Sequence, residues 1–219
     1  MTIKENLNSI QKIIDDTAKK FGRVGKDVHL VAVSKKQPVE ALKAMLSCGH
    51  RLYGENRVQE AIEHWKELRP HYPDLKLHLI GPLQTNKIKE AVALFDVIET
   101  IDRPKLASAL AHEMKKQDKN LPCFIQVNTG EEDQKAGVHP QALPEFLKFC
   151  QSEGLNIVGL MCIPPVAEPP ALHFAFLQKL AKENGLKELS MGMSSDFEKA
   201  IPLGATYIRV GTALFGARD

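Results

Sequence analysis

The run VHLVAVSK at residues 28–35 is followed by VEALKAMLS at 39–47 and by RLY at 51–53. The first is apolar, rich in valine, and ends on a polar turn. The second carries apolar side chains at helical spacing, and the third is again a short apolar run. Strand, helix, strand in this order implies parallel pairing through a right-handed crossover. The unit recurs: further apolar runs lie at 76–80, 96–99, 123–127, 157–161, 188–191 and 206–210, and helical patterns lie at 58–68, 104–116, 144–152 and 172–183.

Eight such strands predict a closed (β/α)8 TIM barrel, an architecture that takes about 200 residues or more. The 219-residue chain meets that minimum with little to spare, so a single domain over residues 1–219 is expected. No G-x-G-x-x-G or G-x-x-x-x-G-K-[ST] motif is present, and the proline-rich stretch 163–170 reads as a loop inside one unit. Before the first strand, Ile3, Leu7, Ile10, Ile14, Ala18 and Phe21 recur at helical spacing, which predicts an extra N-terminal amphipathic helix that packs on the barrel. Its polar face carries Glu5, Asp15 and Asp16, and no uninterrupted apolar stretch is present. It therefore reads as neither a secretory signal nor a membrane anchor.

With 29 basic and 27 acidic side chains, the formal charge of +2 gives no electrostatic footprint for nucleic acid or an anionic membrane. Cys48, Cys123, Cys150 and Cys162 are scattered, with no C-x-x-C and no histidine at metal-ligand spacing. They read as reduced core thiols of a cytoplasmic protein, and no metal site is expected.

In a barrel of this kind the working residues sit at the carboxyl ends of the strands. Lys35 continues the alternation of Val31 and Val33, so its side chain points into the barrel mouth while Lys36 points away. Partial desolvation lowers a lysine pKa from its usual value of about 10.4, and a neutral amine is what attacks an aldehyde. The alternative is a plain surface lysine at a strand end. Ser194 follows the seventh strand and is expected to cap a helix at 195–201, and Gly211-Thr212 follows the eighth. These are the loops where this architecture holds phosphate; a helix cap and a tight turn are the alternatives. Arg209 shares strand parity with Gly211, faces inward, and needs either a structural ion pair or a ligand as acceptor.

The motifs AVSK (32–35), YGENRVQE (53–60), HLIGPLQTNK (78–87), TID (100–102), GLMCIPP (159–165), SMGMSSD (190–196) and RVGTALFGARD (209–219), in that order, are together highly specific. The chain resembles the pyridoxal phosphate homeostasis protein family, also called the proline synthase co-transcribed family, along its whole length. The resemblance implies a fold like the alanine racemase N-terminal domain, with pyridoxal 5′-phosphate held as a Schiff base on Lys35. It places Ser194, Gly211 and Thr212 at the phosphate, Arg209 opposite the pyridine nitrogen, and Asn56 and Met161 beside the ring. His78 is left as a core or mouth histidine, and Lys135 fits the family's loop lysine. Where the family often has a second lysine two residues past the first, this chain has Gln37.

An arginine cannot protonate the ring nitrogen, which leaves the ring a weak electron sink. Racemases of this barrel type use a lysine and an opposed tyrosine from the partner subunit's second domain. No second domain is expected after the eighth strand, and Tyr53, Tyr72 and Tyr207 have no claim to that role. The resemblance thus implies a non-catalytic protein of vitamin B6 homeostasis that stores, buffers or delivers the cofactor. Cofactor-dependent apoenzymes are its recipients, and the chain is expected to be a monomer without nucleic acid or membrane partners. A low-activity amino-acid racemase is the second reading. A cofactor-free Schiff-base aldolase is the third.

Overall fold

A computed structural model describes residues 2–216, so Met1 and the last three residues of the final motif, 217–219, lie outside it. The chain opens with helix α1 (Ile3–Lys20), started by a reciprocal cap. The Glu5 N–H donates to Thr2 Oγ1, and the Thr2 N–H donates to the Glu5 carboxylate. Strands β1 (His29–Val33), β2 (Leu52–Glu55), β3 (Lys76–Leu79) and β4 (Val97–Ile101) follow, with α2 (Val39–Ser47), α3 (Val58–Trp65) and α4 (Ile88–Leu94) between them. The second half runs α5 (Pro104–Lys116), β5 (Pro122–Gln126), α6 (Leu143–Ser152), β6 (Asn156–Met161), α7 (Pro170–Glu183) and β7 (Glu188–Met193). It ends with the short α8 (Phe197–Ala200), β8 (Tyr207–Val210) and α9 (Thr212–Phe215).

All eight strands are parallel and close in sequence order, β8 pairing with β1 through Leu30 opposite Ile208 and Val31 opposite Arg209. Alternation decides what goes where. Leu30, Ala32, Cys123, Ile125, Leu160, Ile208 and Val210 face outward into the core between strands and helices. Val31, Val33, Phe124 and Met161 are buried apart from that core, inside the barrel. The helices that follow the strands bury an apolar stripe; that of α5 is Leu106, Ala107, Leu110 and Met114.

Helix α1 packs on α2, α8 and α9, burying Ile10, Ile14 and Ala18, and Asn6 donates to the Leu214 carbonyl at 2.9 Å. It fills the outer layer beside β8, where the four-residue α9 is too short to do so. Phe21 departs from the expected stripe: the helix ends at Lys20, and Phe21, its C-cap, stays exposed. Helix α3 stops at Trp65 rather than 68, and the chain goes on into a 3-10 turn at Arg69–His71; Pro70 has no N–H to give to the Lys66 carbonyl. Strands β2 and β7 run further than the short apolar runs at 51–53 and 188–191. Among the described residues no helix is long and apolar enough to cross a membrane.

Candidate functional site

A cavity of about 630 Å³ opens at the carboxyl ends of the strands, within the range of small-molecule sites. Lys35 lies on its wall, half-buried in the turn that follows the end of β1 at Val33, and Lys36, next in the same turn, is exposed. The turn is closed by the Gln37 N–H donating to the Ser34 carbonyl at 3.1 Å.

Ser194, Gly211 and Thr212 form the wall between β7 and β8. The helix expected at 195–201 starts only at Phe197, and Ser194 does not cap it. Asp196 Oδ1 accepts the Met193 N–H at 2.6 Å and makes the turn that delays the helix. The pairing of β7 with β8 shifts register between Ser190 and Met193, a bulge that re-aims the residues after it. The Ser194 Oγ instead reaches across to the last loop and accepts the N–H groups of Gly211 at 3.2 Å and Ala213 at 3.4 Å. With its lone pairs so engaged, the hydroxyl has its own proton left to donate. The last loop lies against β1, where a Cβ on Gly211 would meet Val33 at 3.4 Å, an ordinary packing distance.

Arg209 points inward from β8, nearly fully buried, with its guanidinium on the cavity floor. It donates to Ser190 Oγ at 2.6 Å and to the Cys162 carbonyl at 2.8 Å. Ser190 passes the bond on to Glu99 Oε2 at 2.5 Å, and His78 Nδ1 lies 2.6 Å from Glu99 Oε1. Burial alone would raise the Glu99 pKa. The hydrogen bond and charge of His78, with the charge of Arg209, outweigh it and hold the carboxyl below its ordinary value. The chain Arg209–Ser190–Glu99–His78 is thus a buried, compensated ion network. It answers the need for an acceptor and places His78 in the barrel interior beneath the cavity.

The model of the alanine racemase N-terminal domain matches residues 2–219. A pyridoxal phosphate homeostasis protein of Vibrio cholerae is 39% identical over all of this chain and 97% of its own length, and one of Pseudomonas aeruginosa is 41% identical over all of this chain and 96% of its own. The chain belongs to the pyridoxal phosphate homeostasis protein family. A solved structure of PipY from Synechococcus elongatus, with PLP bound, superposes with a TM-score of 0.84 at 36% identity, covering 98% of this chain and 100% of that one.

Of the remaining residues that the family resemblance singled out, Asn56 lines the cavity. Its backbone is seated by Gly81, where a Cβ would come within 2.3 Å of the Asn56 carbonyl oxygen. Met161 does not line the cavity. It is fully buried in the barrel one layer below Ile163, and Ile163 and Met193 supply the apolar wall instead. Gln37 is on the rim, whereas Lys135 is exposed in the loop after β5, away from the lining. Sequence reasoning passed over Glu99 and Ser190, and also Glu55, whose buried Oε1 accepts from Ser34 Oγ at 2.6 Å and from Trp65 Nε1 at 3.0 Å, with His64 Nδ1 at 2.8 Å. The signal was present: Glu55 and Glu99 are acids inside otherwise apolar strands, which a barrel buries only when they have partners.

Proposed function

We propose that this chain binds pyridoxal phosphate for storage, buffering or delivery, anchoring it on Lys35 and performing no turnover of its own. The observation that carries this reading is the cavity lining. Its ionisable side chains are one amine, Lys35, and one guanidinium, Arg209, and the described lining holds no carboxylate, imidazole or phenol. Pyridoxal phosphate, when bound, supplies an aldehyde that an amine takes up as a Schiff base and a phosphate that takes hydrogen bonds. The residues fit both ends of it. Lys35 offers the amine, the Ser194 hydroxyl with the Gly211-Thr212 loop offers donors for the phosphate, and Asn56 flanks the ring. Arg209 keeps its protons and so supplies none to the ring nitrogen. The family membership and the PLP held by PipY support the same reading.

Racemisation requires proton-transfer groups on both faces of the ring. The three tyrosines do not line the cavity. Tyr53 packs on Trp65 at 4.5 Å in the outer core, Tyr72 lies under Arg51, and Tyr207 packs on His29, His78 and Phe124 at the start of β8, the opposite end from the cavity. In this reading residues 1–219 are one domain, the protein is a cytoplasmic monomer, and cofactor-dependent apoenzymes are its recipients. The test is exchange of the α-proton of alanine in heavy water, compared with free pyridoxal phosphate. The visible band of a bound Schiff base with no exchange beyond the free cofactor is expected. Exchange with inversion near the enzyme median of about 10 per second would make the protein a racemase.

A further inference from the structure

Residue Lys36, next to the cavity lysine, has φ 58°, one of three non-glycine residues with positive φ among those described. A side chain in this left-handed region clashes with its own backbone, and glycine occupies it without that clash. Something must hold the turn Ser34–Gln37 in this form, and two acids of the YGENRVQE motif are in contact with it. The Lys36 N–H donates to the Glu60 carboxylate on α3. Two residues earlier, Ser34 Oγ donates to Glu55 Oε1 at 2.6 Å. Glu55 is itself fixed by His64 and Trp65, and the polar atoms of Glu55, Glu60 and His64 lie within 4.8 Å of one another. None of these acids lines the cavity.

We propose that Glu60 is a positioning residue for Lys35: by holding Lys36 in the left-handed conformation it keeps the Lys35 side chain, rather than that of Lys36, turned into the cavity. The inference rests on the reading of Lys35 as the cofactor anchor. Relaxing Lys36 to an ordinary right-handed or extended backbone turns over the peptide between the two lysines and undoes the Ser34–Gln37 turn that seats Lys35 at the wall. Glu55, beneath the turn, secures its first corner through Ser34.

A double-mutant cycle between Glu60 and Lys36 tests this, read by the visible band during titration with pyridoxal phosphate and by mapping the lysine modified after borohydride reduction. Glu60 is half-buried on a helix surface, so Glu60→Ala leaves the core intact; circular dichroism and a thermal melt check the fold of each variant. Glu60→Ala should weaken Schiff-base formation on Lys35 about tenfold, the equilibrium ratio that a left-handed side chain costs. Glycine is at ease at this φ, so Lys36→Gly alone should bind at least as well as the wild type. In the double variant it should restore binding to within about twofold of Lys36→Gly alone. Wild-type binding by Glu60→Ala overturns the proposal, and so does a loss that Lys36→Gly leaves in place in a folded double variant. Trapping on a lysine other than Lys35 in the wild type overturns the anchor reading and this proposal together, which separates the two failures.

Discussion

Ser194 accepts two backbone N–H groups and has one proton to give, so its replacement has a definite consequence. Ser194→Ala should weaken pyridoxal phosphate binding by about 1.5–3 kcal/mol, the value of a hydrogen bond to a charged group, and leave the binding of unphosphorylated pyridoxal unchanged. Titration by absorbance checks both, and an equal loss for the two ligands would remove Ser194 from the phosphate. The thiols are equally specific. Burial pushes Cys162 and Cys150 up to about 12 and Cys123 higher still, and Cys48 is the more exposed of the four. A disulfide reagent at neutral pH should therefore modify Cys48 in the native protein and the others only on unfolding. Equal rates at all four would contradict the buried placement. Arg209 was legible as inward-facing because period-two alternation within β8 is local, whereas Lys35 lies past the end of β1 in a turn whose left-handed Lys36 no periodicity announces. Glu99 and Ser190 were not, because their partnership spans 91 residues and exists only once the barrel closes.

At the scale of elements, the extra helix α1 carries structural weight. Ile14 is fully buried, and Ile14→Ala should cost about 2–5 kcal/mol in stability, read from thermal or denaturant melts, while the folded fraction keeps its cofactor band. A stability change near zero would mean that α1 does not pack as described. Gly81 holds the β3 end against Asn56, so Gly81→Ala should disturb binding more than its size implies. The order and number of strands were legible because strands buried on both faces read as continuous apolar runs. The ends of β2 and β7 were not, since buried pairing extends β2 through a charged residue, and a bulge carries β7 on through Gly192 to Met193. The delayed start of α8 has a similar cause, the Asp196 side chain binding backwards to Met193.

The whole molecule holds together around a charge placed inside it. Arg209 is buried at the floor of the cavity, and Glu99, across the barrel, compensates it through Ser190. Because the folded-state pKa of Glu99 lies below 4.5, its stabilisation is fully present above that pH and is lost as pH falls through the folded value. Glu99→Gln leaves the Arg209 charge uncompensated and should cost about 3–5 kcal/mol at neutral pH. The difference from the wild type should shrink in acid; a difference that grew with acidity would reverse the assignment. The network leaves Lys35 as the amine of the cavity, and that is the claim on which the functional account turns. Its most direct test is to load the protein with pyridoxal phosphate, reduce it with borohydride, digest it and locate the modified lysine. The account predicts modification of Lys35 and no visible band in Lys35→Ala, and modification of Lys36 or Lys135 ahead of Lys35 would contradict it.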